Sequence, residues 1–518
     1  MNGAETLLNT LLRNQVDVCF ANPGTSEMHF VAALDRVSGM RCVLGLFEGV
    51  VTGAADGYGR MLDKPAVTLL HLGPGLANGL SNLHNAMRAN SPIVNVIGDH
   101  ASYHRQLDAP LTSDIEGAAR PFSHWVRTTA GADALAIDTT AAIAAARSAP
   151  GGIASLILPA DAAWSEPTPA LDEFTAAAIP AAPTRPDDRA IEAAARILRQ
   201  DANTALILGG QATREEPLQL AGAIAATTGA RLYAQTLTAR VTRGAGRVAV
   251  QRIPYPIDQA VALLEDLDNI ILVGAKAPVG FFAYPDKPGK LYRPGTRIHE
   301  LAAAEGDIPF ALQALADSLD AKPRKSMTTE LEKPAVPTGT IIPEKIGQLL
   351  AASIPENAIV VDESITTGRS FWTETQTAAP HDWLLPTGGS IGFAMPVAAG
   401  AAIACPERKV ICLESDGSGL YMPQTLWTHA REGLDVLTII FSNRAYRILH
   451  HEMRNVGVSD IGPNASGLFD LVNPEIDWVA LAKSFGIEAR RVDSMQDFSA
   501  AIDAGLAVQG PALIEVLC

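Results

Sequence analysis

Short continuous runs of apolar residues, many of them β-branched, recur along the chain and alternate with longer segments of amphipathic spacing. In the first third, DVCFANPG, RCVLGLF, AVTLLHL, PIVNVIGDH and ASLILPA read as strands. The middle third offers TALILGG, ARLYAQ, NIILVGA and TRIHEL, and the last AIVVDES, KVICLES, VLTIIFSN and ALIEVL. Strands that are apolar on both faces and separated by helices belong to parallel sheets covered on both sides. Two stretches, 163–187 (AWSEPTPALDEFTAAAIPAAPTRPD) and 320–343 (DAKPRKSMTTELEKPAVPTGTIIP), are rich in Pro, Ala and Thr and lack apolar periodicity, so they read as linkers. The pattern predicts an α/β chain of three doubly wound parallel-sheet domains, over 1–165, 185–320 and 340–518. Such sheets bind ligands beyond the carboxyl ends of their strands. Functional residues are therefore expected where strands end, at Glu48, His71, Gly98–His100, Glu363, Asp416 and Asn443.

Length agrees with that division, since 518 residues hold about three domains at roughly 150 residues each. The net charge of −16 argues against a nucleic-acid groove or an anionic membrane surface as partner. An anionic substrate would need local positive potential from a metal, a helix N-terminus or a few arginines. The five cysteines, Cys19, Cys42, Cys405, Cys412 and Cys518, form no C-x-x-C and no metal spacing, and read as reduced thiols of a cytoplasmic protein. The N-terminus has no basic region ahead of a continuous apolar core, so it does not read as a signal peptide. Trp383 to Cys405 carries no charge, but Pro386, Pro396 and four glycines suit a turn entering a buried helix better than a bilayer span.

Chemistry concentrates in the last third. Asp416 follows one apolar strand and Asn443 follows the next, 27 residues on, with room for a helix between. Both side chains then reach the same rim of the sheet. Asp and Asn oxygens, with the Ala445 carbonyl two residues further, are hard ligands suited to Mg²⁺. Gly417 and Ser418 would offer N–H groups to phosphate at the following helix start. Asp-Gly-Ser alone also fits an ordinary strand–turn–helix with an aspartate N-cap. A second signal lies in LFEGVVTGAADGYGRM, residues 46–61, where Glu48 opens a stretch of small residues able to pack closely. A carboxylate there is either a solvated helix-start charge or a group held in a dry place.

Asp-Gly-Ser followed by a strand-ending Asn resembles the cofactor motif of thiamine diphosphate enzymes, and the resemblance runs along essentially the whole chain. ANPGTSE, LHLGPGLANGLSNLHNA, TGGSIGFAMP and GPALIEV are similar to the branch holding benzoylformate decarboxylase and the acetohydroxyacid (acetolactate) synthase large subunits. The resemblance implies a pyrimidine-binding first domain, a central domain and a diphosphate-binding last domain. It implies thiamine diphosphate and Mg²⁺ as cofactors, with Asp416, Asn443 and Ala445 on the metal and Gly417 and Ser418 on the diphosphate. Glu48 would hydrogen-bond the aminopyrimidine and favour the tautomer that generates the ylid. Ile391 would prop the cofactor in its bent form, the Gly389 carbonyl would receive its amino group, and Ser364 and Thr366 would contact it. Ser415 and Ser442 stand where the family usually has Gly and Asn, and neither change removes a metal-ligating side chain.

On the substrate side, His71 matches a catalytic histidine of benzoylformate decarboxylase and would transfer protons. His100 and His104 follow the next strand, and Thr25 matches a hydroxyl that touches substrate carboxylate. Ile448, Leu449 and Glu452 would line the substrate pocket, with Glu452 standing where that decarboxylase has an aromatic residue. GAKAPVGFF offers no clear match to the flavin-contacting segment of acetohydroxyacid synthases, which argues against bound FAD. The resemblance thus implies a 2-oxo acid decarboxylase working by ylid addition, CO₂ loss and aldehyde release. A carboligase joining two 2-oxo acids and a non-catalytic binding homologue are the alternatives. It also implies a homo-oligomer, a dimer of dimers, with Glu48 and the metal site meeting across a subunit interface.

Overall fold

The computed structural model describes residues 1–168, 177–200 and 202–518. Residues 169–176 of the first expected linker lie outside the described residues. The first third forms β1 (Val18–Ala21), β2 (Arg41–Leu44), β3 (Ala66–Leu70), β4 (Ile93–Asp99), β5 (Trp125–Thr128) and β6 (Ile153–Pro159). They make one fully parallel sheet in the order β2-β1-β3-β4-β6-β5. The middle third gives β7 (Thr204–Leu208), β8 (Arg231–Ala234), β9 (Val241–Arg243), β10 (Gln251–Arg252), β11 (Asn269–Val273) and β12 (Arg297–Ala302). All but β9 form a second parallel sheet, β10-β8-β7-β11-β12. The last third gives β13 (Ala358–Glu363), β14 (His381–Leu384), β15 (Val410–Ser415), β16 (Val436–Ser442), β17 (Glu488–Val492) and β18 (Ala512–Leu517), in the order β17-β18-β16-β15-β13-β14-β9.

The three α/β sheets stand where the apolar runs put them. The pattern did not mark β5, β9, β10, β14 and β17. The last two show why: β14 is HDWL, with two polar residues that are buried and bonded, and β17 is EARRV, exposed at three of five positions. The middle third is also less separate than its composition implies, because β9 joins the last sheet as its antiparallel edge. Both linker readings overrun slightly: Ala163 and Trp164 close the short helix Ala160–Trp164, and Pro343 opens the helix Pro343–Ser353. The uncharged stretch 383–405 is the end of β14, a turn and the buried helix Ala394–Ala404, and no helix of the described residues is long and apolar enough to cross a membrane.

That buried helix packs against the helix Glu48–Leu62, and the two join the first and last thirds through one core that includes Val51, Ala54, Ala55, Val397, Ala398 and Ala401. The contact is so close that a Cβ at Gly400 would overlap the Ala54 carbonyl, and one at Gly57 the Val397 carbonyl. Arg60 fixes the crossing. It is buried, paired with Asp56 at 2.7 Å, and donates to the Leu385 carbonyl (2.7 Å), Thr387 Oγ1 (3.1 Å) and the Ala239 carbonyl (3.1 Å). One guanidinium thus ties all three thirds together.

Two stability predictions follow from this packing. Gly400→Ala must part the helices or strain them, and is expected to lower the denaturant midpoint by an amount equivalent to about 1–3 kcal/mol, the usual size of overpacking; a wild-type midpoint would mean the crossing is loose. His429, on the helix Thr425–Glu432, is fully buried and donates from Nε2 to the Met395 carbonyl at 3.1 Å, and burial pushes its pKa down to about 4. The unfolded chain takes up that proton below about pH 6.5, whereas the folded chain resists it until about pH 4. Stability should fall between those values, and His429→Gln, which retains an amide donor, should make the fall shallower in midpoints measured across the range.

Candidate active site

In the first sheet, strand order reverses between β1 and β3, which opens a crevice beyond their carboxyl ends. Thr25, Ser26 and Glu27 follow β1 and His71 follows β3, so topology brings them together. His71 Nδ1 lies 2.8 Å from Glu27 Oε2 and 3.2 Å from Ser26 Oγ. Glu27 is buried and also accepts from the Gly24 N–H (2.8 Å) and Ser26 Oγ (2.6 Å). A Cβ at Gly98 would overlap its Oε1, so the end of β4 is shaped around this carboxylate. A carboxylate at Nδ1 holds the proton there and leaves Nε2 for the open side. That side is a cavity of about 370 Å³, lined by Thr25, His71, His100, Tyr103 and His104 among others. His100 Nε2 is buried with no hydrogen-bond partner among the described residues.

Glu48 begins its helix immediately beside this group. It is buried, accepts from Asn78 Nδ2 at 3.0 Å, and shares Gly75 with His71: a Cβ there would lie 3.1 Å from Glu48 Oε1 and 3.2 Å from His71 Cβ. The solvated helix-start charge is therefore excluded, and Glu48 is the held carboxylate. The helix Leu72–Ala89 that carries Asn78 also braces the other half of the site. Asn82 donates to the Gly392 carbonyl (3.3 Å), and Asn85 exchanges hydrogen bonds with Ser390, at 2.8 Å to its carbonyl and 3.1 Å from its N–H.

In the last sheet the reversal falls between β13 and β15. β15 pairs with β16 so that Ser415 faces Phe441, which sends Asp416 and Asn443 off neighbouring strands at one rim. Asp416 is buried, accepts from the Arg444 N–H at 2.5 Å and the Gly417 N–H at 3.0 Å, and burial raises its pKa to about 6. Asn443 Oδ1 accepts from the Ala445 N–H at 3.1 Å. Gly417 is required, because a Cβ would meet the Tyr446 ring. One carboxylate, one amide oxygen and backbone carbonyls are a donor set that fits Mg²⁺ held jointly with a ligand's phosphate oxygens. Ser418 turns its hydroxyl to Glu414, and its carbonyl accepts from the Tyr421 N–H at 3.1 Å. Beneath them lies a feature that the strand pattern only hinted at: Glu363 and Glu414 are register partners on β13 and β15, both fully buried. Burial pushes Glu363 up to about 8 and Glu414 well above the carboxylate range. Glu363 accepts from the Phe393 and Ala394 N–H groups at 2.7 and 2.9 Å, and so seats the helix that follows the Gly389–Ile391 turn.

Ser364, Gly389, Ile391 and Ile448 line one apolar cavity of about 280 Å³. Gly389 has φ of +72°, and Phe281 lies where its Cβ would be. Ile365 and Gly368, rather than Thr366, complete the wall on that side, while Ser364 gives its hydroxyl to Asp362 at 2.5 Å. The remaining wall was not foreseen at all: Tyr255, Phe281 and Phe282 reach in from the middle third, their rings in successive contact at 5.5 and 5.0 Å. Leu449 stays outside the cavity, and Glu452 is drawn away from it, accepting from Tyr255 Oη at 3.3 Å and from Tyr284 Oη. Glu27, Asn78, Glu414 and this aromatic wall are the site residues that sequence reasoning missed; Glu27 lay inside ANPGTSE without any local mark of its pairing.

Comparisons with known proteins place the chain in a family. Residues 1–119 match the family model for the thiamine pyrophosphate enzyme N-terminal TPP binding domain, and residues 367–516 match the one for the C-terminal TPP binding domain. The chain is 49% identical to a Mycobacterium tuberculosis protein provisionally designated acetolactate synthase large subunit IlvX, covering 100% of this chain and 99% of that one. It is 30% identical to benzoylformate decarboxylase of Pseudomonas aeruginosa, covering 98% and 97%. Among solved structures it is similar to the thiamine diphosphate-dependent 4-hydroxybenzoylformate decarboxylase of Rhodococcus jostii RHA1, with TM-score 0.87 and 25% identity over 99% of this chain and 98% of that one.

Glu27 tests the first half of the site. In Glu27→Ala the carboxylate that keeps the proton on His71 Nδ1 is gone, so ¹⁵N NMR of the imidazole should change from one tautomer to a mixture. Glu27→Gln should lower turnover by about 10- to 100-fold, the usual effect of losing an orienting partner. An unchanged tautomer together with wild-type turnover would make the pair purely structural.

Proposed function

The chain belongs to the thiamine pyrophosphate enzyme family, and from that premise we propose that it is a Mg²⁺-dependent 2-oxo acid decarboxylase. Thiamine diphosphate, when bound, supplies the carbon nucleophile and the sink for the electron pair that departing CO₂ leaves behind. The protein supplies position and protons. Asp416, Asn443 and the Ala445 carbonyl hold Mg²⁺, and Gly417 and Ser418 face the diphosphate. Gly389, Ile391 and Ser364 carry the heterocycle in the apolar cavity, where low dielectric strengthens every charge interaction. Glu48 holds a proton at the aminopyrimidine. Thr25 receives the substrate carboxylate, and His71 delivers the proton that completes an aldehyde, with His100 beside it.

The observation that carries this reading is the His71–Glu27 pair on the rim of the Thr25 and His100 cavity. A decarboxylase must protonate the carbon that lost CO₂, and an imidazole with a fixed tautomer is suited to it. The aromatic wall of Tyr255, Phe281 and Phe282 favours substrates with a flat apolar side chain. Acetolactate synthase-type carboligation is the second reading, favoured by the 49% identity to the Mycobacterium tuberculosis relative. The chain is proposed to work in the cytosol as a homo-oligomer, a dimer of dimers. Supporting assembly, Tyr103 (66% exposed), Leu107 (70%) and Tyr421 (52%) lie bare close to the two half-sites, and the helix Arg447–Asn455 has no buried residue.

A panel of aryl and alkyl 2-oxo acids with Mg²⁺ and thiamine diphosphate tests the reaction. Aldehyde from an aryl substrate is expected, whereas acyloin products alone would establish carboligation, and no CO₂ from any substrate would end both readings. Mixing tests the assembly. Glu48→Gln and Asp416→Ala chains should each be inactive, yet a mixed dimer that builds its sites across the interface holds one intact site. Random exchange should restore about a quarter of wild-type activity, since half the dimers are mixed and each has one good site of two. Absent recovery after verified exchange would mean both residues serve one site within a single chain.

A further inference from the structure

Away from both half-sites, the parallel register of β1 and β2 sets Cys19 directly beside Cys42. Parallel neighbours lie about 4.8 Å apart with their side chains on one face. That separation falls inside the Cα span of about 4.4–6.8 Å that a disulfide accepts. Both thiols are free. Cys19 is fully buried in the core that holds Ala4, Leu7, Leu8 and Leu11, whereas Cys42 is exposed on β2, the edge strand of its sheet. An edge strand is paired on one side only, so it can shift by the few tenths of an ångström that bond formation needs. Cys19 Sγ donates to the Phe20 carbonyl at 3.8 Å. The nearness of Cys19 holds the Cys42 thiol below the usual range, while Cys42 and burial push Cys19 up.

We propose that Cys42 and Cys19 are a peroxide-reactive dithiol, with Cys42 the attacking and Cys19 the resolving residue. The Cys42 thiolate attacks one oxygen of hydrogen peroxide. The O–O bond breaks, Cys42 becomes a sulfenic acid, and the departing hydroxide takes a proton to leave as water. Cys19 then attacks the Cys42 sulfur, losing its own proton, and the sulfenic oxygen leaves as a second water. Two thiols and one peroxide give one disulfide and two waters. An exposed thiolate-prone cysteine beside a buried partner is the arrangement that selects for this chemistry. The other cysteines lack it: burial raises the thiols of Cys405 and Cys412, and that of Cys518 to about 11. The inference does not depend on the cofactor reading, because the pair touches neither half-site.

The test uses the full-length reduced protein without cofactor, treated with stoichiometric hydrogen peroxide. The intact mass should fall by two hydrogens, and trypsin should release peptide 14–36 joined to peptide 42–60. Cys42→Ser, an exposed and conservative change, should abolish the crosslink. Cys19→Ser should leave a sulfenic acid at Cys42 that dimedone traps, and circular dichroism reports whether this buried variant has folded. Equal alkylation of Cys42 by iodoacetamide before and after peroxide would overturn the proposal, as would a crosslink that survives in Cys42→Ser.

Discussion

The structure depends on a helix crossing that only glycine permits. The helices Glu48–Leu62 and Ala394–Ala404 belong to different sheets, yet Gly57 and Gly400 let their backbones touch. One helix begins with the buried carboxylate of Glu48, proposed above to address the cofactor. The other follows the turn of Gly389 and Ile391 that would hold it. Their separation is set by backbone against backbone rather than by side chains able to repack, so the half-sites keep a fixed relation within each chain. Arg60 extends the same constraint to the middle third. A buried guanidinium is costly unless every donor is used, and here carbonyls, a hydroxyl and Asp56 use them while the Phe393 ring lies 4.8 Å away.

Given that frame, chemistry gathers where each sheet reverses its strand order. Nothing in the local sequence pairs Glu27 with His71, 44 residues apart. The crevice beyond β1 and β3 does so, because both residues sit in the loops that open onto it. The crevice beyond β13 and β15 likewise gathers Glu363, Ser364 and Asp416. The register partners Glu363 and Glu414 lie so close together in a dry site that burial, and for Glu414 the neighbouring Glu363 as well, raises both carboxyl groups above their usual range.

What the sequence made legible was periodic or local. Strands buried on both faces are mostly apolar, and so β3, β4, β15 and β16 stand out, as do the residues that follow them: His71, His100, Asp416 and Asn443. Partly polar or exposed strands such as β14 and β17 carry no such mark. Site residues chosen by a distant partner were equally hidden, among them Glu27, Asn78 and Glu414. Glu452 shows a different kind of hidden partner. Its place on the chain pointed to substrate, but two tyrosines of the middle third, 197 and 168 residues earlier, take the carboxylate, and no sequence window contains them all.

That capture changes what the middle third is for. Its composition and its linkers describe a separate module, and its strand signature describes an ordinary parallel sheet. Yet β9 closes the edge of the last sheet, Arg240 pairs with Asp382 on β14 at 2.8 Å, and Tyr255 and Tyr284 clamp Glu452. Beside this clamp, the Phe281 ring lies over Gly389, and Phe282, in contact with it, continues the cavity wall. A carboxylate in a substrate pocket would repel an anionic 2-oxo acid. Turned away and bonded to phenols, the same residue instead stands behind an apolar wall of the cavity beside Gly389 and Ile391.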